Sequence, residues 1–162
     1  MSKTSTNIKV VNSISELGRE EWDGCALFHS DDDSIETTDP FTCYDFLHAL
    51  EKSGSVGEGT GWIPYHLAAF NKNKLVGAVP LYLKSNSQGE YIFDHNWAHA
   101  FERAGGRYYP KLQISVPFTP VTGRRLLVSK NAPNNTASLL LQSAYFQLPP
   151  KFLGYLNLIF EK

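Results

Sequence analysis

Residues 108–127, YYPKLQISVPFTPVTGRRLL, constrain the fold more than any other stretch. Leu112, Ile114 and Val116 alternate with Gln113 and Ser115, the period of two expected of a strand with one polar face. Pro117 and Pro120 then bracket Phe118 and Thr119. Proline has no N–H to give to a ladder, so the strand must leave its sheet here. Thr122-Gly123-Arg124-Arg125 follow directly. Packing alone gives little reason for this run of prolines, threonines, glycine and arginines after a strand. The stretch reads as a central strand that delivers a polar, cationic loop to one edge of a site.

The elements around it are legible in order. Asn7 to Val11 is short and β-leaning, and Ser13-x-x-Glu16 is a capping box that opens a helix. Ile14, Leu17, Trp22 and Cys25 give that helix one apolar face up to about Ala26. Asp31-Asp32-Asp33 lack the alternating ligands and distal glutamate of a calcium loop and read as a solvated turn. Thr42 is the expected N-cap of a second helix, with Phe41 stapled to Phe46 and a stripe of Cys43, Phe46, Leu47 and Leu50. The glycine-rich run 54–61 follows a helix and has no lysine before Ser or Thr, so a mobile loop or substrate flap is expected, not a phosphate loop.

Tyr65 to Phe70 and Lys74 to Leu83 flank Asn71-Lys72-Asn73 as a hairpin, with Pro80 predicted at a bulge or an edge. A helix is expected from His95 to Ala104, its apolar stripe being Trp97, Ala100, Phe101 and Ala104. Ala137, Leu140, Leu141, Ala144 and Leu148 mark another, with Pro133 in its first turn and Pro149-Pro150 as its stop. Tyr155 to Phe160 reads as a last strand. No repeat or linker divides the chain, so residues 1–162 are expected to form a single domain.

Charge is unevenly spread. Residues 1–60 hold twelve acidic and four basic side chains; residues 61–162 hold eleven basic and four acidic. Arg103, Arg107, Lys111, Arg124 and Arg125 stand near the opening stretch. Either this field attracts an anionic ligand, or the two halves neutralise each other across an interface. No apolar run approaches the ~18 residues of a spanning helix. The N-terminus has no apolar stretch behind its lysine, and Cys25 and Cys43 read as thiols of a reducing compartment, so a cytoplasmic protein is expected.

Strand, two helices, antiparallel strands, then strand–helix–strand resembles the first two-thirds of the GNAT acyltransferase fold. The phrases SGSVGEGTGW (53–62), AVPLYLKSNSQGEY (78–91), FERAGGRYYPKL (101–112) and VPFTPVTGRRLLV (116–128) resemble a bacterial family of predicted N-acyltransferases. That family is related to the Fem-type enzymes that add amino acids to peptidoglycan precursors. Its members are longer, so this chain is expected to correspond to their N-terminal part. The resemblance implies an α/β (α+β) GNAT-like fold, with a mixed central sheet flanked by helices and incomplete at the C-terminus. It also implies transfer of an acyl or aminoacyl group from a phosphorylated carrier to an amine. Acyl-CoA or aminoacyl-tRNA is the implied donor, and no covalently bound cofactor is expected.

Within that reading, Thr119, Thr122, the Gly123 N–H and Arg124 are the residues expected to hold the carrier's phosphates. The usual acyl-CoA loop carries a second glycine; here Gly123 stands alone. Tyr108, Tyr109, Lys111 and Phe118 are expected to meet the substrate, a small or peptide-like amine. Glu102 is the candidate general base. His95 and His99 are spaced as metal ligands can be, but His95-Asn96-Trp97-Ala98-His99 lacks the glutamate of a zinc motif, so no metal is expected. The alternative is a non-catalytic anion-binding or interaction module on the same fold. Nucleic acid is expected only as a charged tRNA, and a homo-oligomer stays open.

Overall fold

The structure is a computed structural model describing residues 6–29, 36–37, 39–91, 93–146 and 156–158. The Asp31-Asp32-Asp33 turn, Leu148 and the Pro149-Pro150 stop lie outside the described residues. The elements in chain order are β1 (Thr6–Val11), a 3-10 turn (Ile14–Glu16), α1 (Arg19–Ala26), β2 (Phe28–His29), β3 (Glu36–Thr37) and α2 (Tyr44–Lys52). Then come β4 (Trp62–Pro64), β5 (His66–Asn71), β6 (Lys74–Val79), β7 (Leu81–Lys84) and α3 (His95–Arg103). The chain continues through β8 (Lys111–Ile114), β9 (Leu127–Val128), α4 (Thr136–Phe146) and β10 (Leu156–Leu158).

The fold is α+β. The central sheet is divided into two four-stranded sheets, ordered β1-β5-β6-β9 and β10-β8-β7-β4, beside a β2-β3 ribbon. The first is antiparallel throughout. In the second, β10 runs parallel to β8 and the other pairs are antiparallel. A single kinked hairpin joins them: β4 and β5 run into each other through Tyr65, and β6 and β7 through Pro80. Pro80 has no N–H, so the ladder breaks at this point. Tyr65 N–H donates to the Leu81 carbonyl at 2.9 Å, and the Leu81 N–H donates to His66 Nδ1 at 3.3 Å, bridging the kink.

The same kink launches the loop of the opening stretch. β8 pairs with β7 as far as Ile114 opposite Leu81, and β9 pairs with β6 from Leu127 opposite Ala78. Residues 115–126 leave the ladder where the facing strand offers only Val79 and Pro80. The strands at Leu112–Ile114 and Leu156–Leu158 do not splay apart; they pair in parallel register.

Both faces of the first sheet are covered. Ala68 and Ala78 face a core with Trp22, Cys25 and Leu47 of α1 and α2. Leu67, Ala69 and Val79 face a second core with Leu140 and Ala144 of α4. Full burial of a side chain such as Leu140 contributes about 1.5–3 kcal/mol. Small residues let the helices approach: a Cβ on Gly77 would stand 2.8 Å from Thr136 Cγ2 and 3.0 Å from Leu140 Cδ1.

Several expectations need correction. The capping box is present but closes only the 3-10 turn; Leu17 is extended, and α1 restarts after Gly18. Cys43, not Thr42, caps α2, and the Tyr44 N–H is met by Asp23 Oδ1 of α1 at 2.7 Å. The Phe41–Phe46 staple is present, with ring centroids 5.3 Å apart. The glycine-rich loop is anchored: Val56 is buried beside Trp62 and Tyr82, and the Gly57 N–H donates to the Trp62 carbonyl at 2.8 Å. In α3, Ala98 is buried while Trp97 is 76% exposed and Ala100 and Ala104 face solvent. Of the expected stripe only Phe101 is half-buried, with its ring against that of Tyr108. Among the described residues no helix is long and apolar enough to cross a membrane.

Candidate functional site

Lys111, Gln113 and Ser115 alternate onto one face of β8, and Lys84, Tyr82 and Trp62 are brought beside them by β7 and β4. This face was expected to be a polar surface. It is buried instead, because the segment 85–94 folds over it: Lys84, Lys111, Glu90 and Gln113 are each less than a tenth exposed. Lys111 Nζ donates to Glu90 Oε2 at 2.9 Å and to Asp94 Oδ2 at 2.5 Å. Lys84 Nζ donates to the Gln88 carbonyl at 2.8 Å, stands 3.6 Å from Glu90 Oε1, and lies 3.6 Å from the centroid of the Trp62 ring. Asp94 also accepts from Tyr108 at 2.6 Å, from Tyr109 at 2.9 Å and from Ser87.

Two cations and two carboxylates thus share one enclosure. Burial pushes the Lys84 ammonium down to about 8, outweighing the pull of Glu90. Burial raises the Glu90 carboxyl despite its bond to Lys111. Burial acts on Asp94 in the same sense, but Lys111 and the Ser87 and Tyr108 hydroxyls outweigh it and hold its carboxyl well below the usual range. The Tyr109 phenol is pushed up to about 12 by burial, with Asp94 and Glu90 adding to the effect.

A cleft of about 50 Å³, open to solvent at its mouth, lies between this cluster and the loop 115–125. Glu90, Gln113 and Ser115 line it from the sheet side, Trp62 and Tyr91 flank them, and Thr119, Thr122, Gly123 and Arg125 form the loop side. Glu90 Oε1 and Gln113 Oε1 have no hydrogen-bond partner among the described residues. Phe118, held at a φ of 60°, packs against Trp62. Its ring fills the space over Gly89, where a Cβ would stand 2.5 Å from Phe118 Cε1.

The residues singled out in the sequence divide into three groups. Thr119, Thr122 and Gly123 line the cleft; Tyr108, Tyr109 and Lys111 form the charge cluster behind it. Arg124 lies elsewhere: its Nη2 donates to the carbonyls of Ala26 at 3.0 Å and Leu27 at 2.7 Å, closing the end of α1. Glu102 is exposed on α3 and does not line the cleft. Arg125 reaches Asp39 Oδ2 at 3.4 Å, so the acidic and basic halves of the chain do meet here. Sequence reading missed Glu90, Asp94, Gln113, Trp62 and Lys84. Their sequence spacing gives little signal: Glu90 follows Lys84 by six residues, but Asp94 and Glu90 precede Lys111 by 17 and 21. Among the described residues no group of three or more His, Cys, Asp or Glu is placed to hold a metal ion.

A family profile described as peptidoglycan biosynthesis/recognition matches residues 13–153. The chain belongs to the FemAB-like family. The matched span contains every cleft residue, from Trp62 to Arg125. No curated protein and no solved structure matches this FemAB-like chain.

Proposed function

We propose that this chain is an N-acyltransferase domain with a GNAT-like fold. It moves an acyl or aminoacyl group from acyl-CoA or aminoacyl-tRNA to an amine in cytoplasmic peptidoglycan-precursor metabolism. The observation that carries the reading is Glu90. Its buried carboxylate is held by Lys111 and ion-paired with Lys84, and the residue lines the same cleft as Thr119, Thr122 and Gly123. A general base must reach the reacting proton and have an affinity for it tuned by burial. Burial raises the proton affinity of Glu90 and the residue lines the cleft, so it takes the role that the sequence suggested for Glu102.

In this mechanism the amine nitrogen attacks the acyl carbonyl carbon. The new C–N bond forms as the bond from that carbon to the carrier's sulfur or oxygen breaks. The amine's proton passes to Glu90, and the carrier leaves as its thiol or hydroxyl after taking up a proton. Thr119 Oγ1 accepts the Val121 N–H at 3.2 Å, which leaves its own hydrogen to donate to the carrier. Thr122 and the Gly123 N–H supply further donors on the loop side, and Arg125 supplies charge. Lys111 holds Glu90 through its other oxygen.

The test is a transfer assay with acyl-CoA and charged tRNA as donors and peptidoglycan-precursor peptides as acceptors. Turnover is expected in the wild type. Glu90→Gln is expected to lower kcat by about 10²–10⁴, with the melting curve checked in parallel. Absence of turnover with every donor would favour the non-catalytic recognition module.

A further inference from the structure

The cleft is too small for a ligand of ordinary size. It holds about 50 Å³, whereas pockets for small molecules run to roughly 300–1,000 Å³. Its sheet wall is fastened by the bond between Lys111 and Glu90. Its other wall is the loop tip, residues 118–123, and little holds that wall in place. Among the described residues no backbone–backbone hydrogen bond ties 118–123 to either sheet. Within the tip, the Val121 N–H donates to Thr119 Oγ1 at 3.2 Å, and from outside Arg125 Nη2 donates to the Val121 carbonyl at 2.5 Å.

Both ends of the tip are anchored. Pro117 is buried on one side. On the other, the Arg124 guanidinium holds the carbonyls of Ala26 and Leu27. Between these anchors a single ring meets the body of the protein. Phe118 packs on Trp62 with centroids 5.7 Å apart and covers Gly89. It is 41% exposed, whereas Trp62 beneath it is 1% exposed. Its φ of 60° is a backbone state that bulky side chains rarely adopt. The ring is thus seated at the expense of its own backbone.

We propose that residues 118–123 are a hinged lid, shut in this structure by the Phe118 ring. A ligand larger than water enters the cleft when that ring leaves Trp62 and Gly89. Opening lets Phe118 relax from its left-handed φ, which offsets part of the lost ring contact and keeps the open state within thermal reach. Pro117 and Arg124 are the hinge ends. The lid does not rest on the transfer reading, although Thr119, Thr122 and Gly123 ride on it.

The test is nitrogen NMR relaxation dispersion, which reads exchange on the microsecond-to-millisecond scale of lid motions. Wild type is expected to show one shared exchange process at the amides of Phe118, Thr119, Val121, Thr122 and Gly123 and at the Trp62 indole. The amides of Leu112 and Leu127 are expected to be flat. Phe118→Gly removes the ring and accepts the positive φ. The shared process is expected to vanish in it, and the Trp62 indole hydrogen to exchange with solvent about tenfold faster. Flat dispersion at 118–123 in wild type overturns the lid, whether or not the variant folds. Exchange spread equally through the sheets overturns it too, as does an unaltered process in folded Phe118→Gly. A parallel titration with coenzyme A separates the lid from the transfer reading: lid exchange without coenzyme A binding supports the lid and removes acyl-CoA from the proposed donors.

Discussion

Lys84 on β7 and Lys111 on β8 stand directly opposite each other across one antiparallel pair, and both side chains are buried. Like charges in that relation repel, and burial adds a desolvation penalty to each. The pair persists because segment 85–94 folds back and places Glu90 between the two ammonium groups, with Asp94 on the far side of Lys111. The charged strand face and the polar segment over it therefore form one unit. The same unit supplies the sheet side of the cleft.

Removing Lys111 should damage the protein more than removing Lys84. Lys111 contacts both carboxylates, so Lys111→Met leaves Asp94 without its cation and Glu90 with Lys84 alone, at 3.6 Å. A loss of about 3–5 kcal/mol is expected in urea unfolding. Lys84→Met deletes a group that contacts one carboxylate at 3.6 Å and replaces it with an apolar chain over Trp62. Its cost should be clearly smaller. Equal losses would show that the two lysines are equivalent in the cluster.

Alkaline pH should stabilise the fold through Lys84. Its folded-state value is lowered to about 8 from 10.5. Between these values the unfolded chain holds the proton and the folded chain has released it, so stability rises with pH across that window. Below about pH 8 both states are protonated and the cost of the buried charge is fully present. Comparing wild type with Lys84→Met between pH 7.5 and 10.5 isolates the effect. A wild-type curve parallel to that of the variant would refute it.

Gly77→Ala should cost about 1–3 kcal/mol by overpacking the contact between β6 and α4. The added methyl meets Thr136 Cγ2, Leu140 Cδ1 and the Leu127 carbonyl. Thr136→Ser removes the first of these, so the double variant should recover part of the loss. A double-mutant cycle measures that coupling, and strict additivity would count against the contact.

Arg124→Met should lower stability by about 1–3 kcal/mol, because the carbonyls of Ala26 and Leu27 lose a charged donor. An unchanged urea-unfolding midpoint in Arg124→Met would reverse this assignment.

Much of the architecture was legible because it rests on local rules. Period-two alternation marked β8, the Phe41–Phe46 staple marked the start of α2, and Pro80 marked a break in the hairpin. The Thr119–Gly123 loop was recognised as one wall of a site from its prolines and polar residues. The opposite wall was not. Glu90 and Asp94 stand in a segment that reads as ordinary polar loop, and Lys111 reads as a substrate contact beside Tyr108 and Tyr109, with nothing to pair it with Lys84. Trp97 misled for the complementary reason. Its stripe has helical spacing, but of that stripe only Phe101 is half-buried, against Tyr108.

The sequence by itself determined the α+β class, the order of the elements, and the point at which the Tyr108–Leu127 stretch must leave its sheet. These follow from the side-chain period and from the missing N–H of proline, which act over a few residues. The tertiary structure decided which polar groups are buried together. Lys84, Glu90, Asp94 and Lys111 carry no local signal that they share an enclosure, because their pairing depends on how segment 85–94 folds across β7 and β8. It also decided that Arg124 clamps α1 and that Glu90 and Gln113 line the cleft.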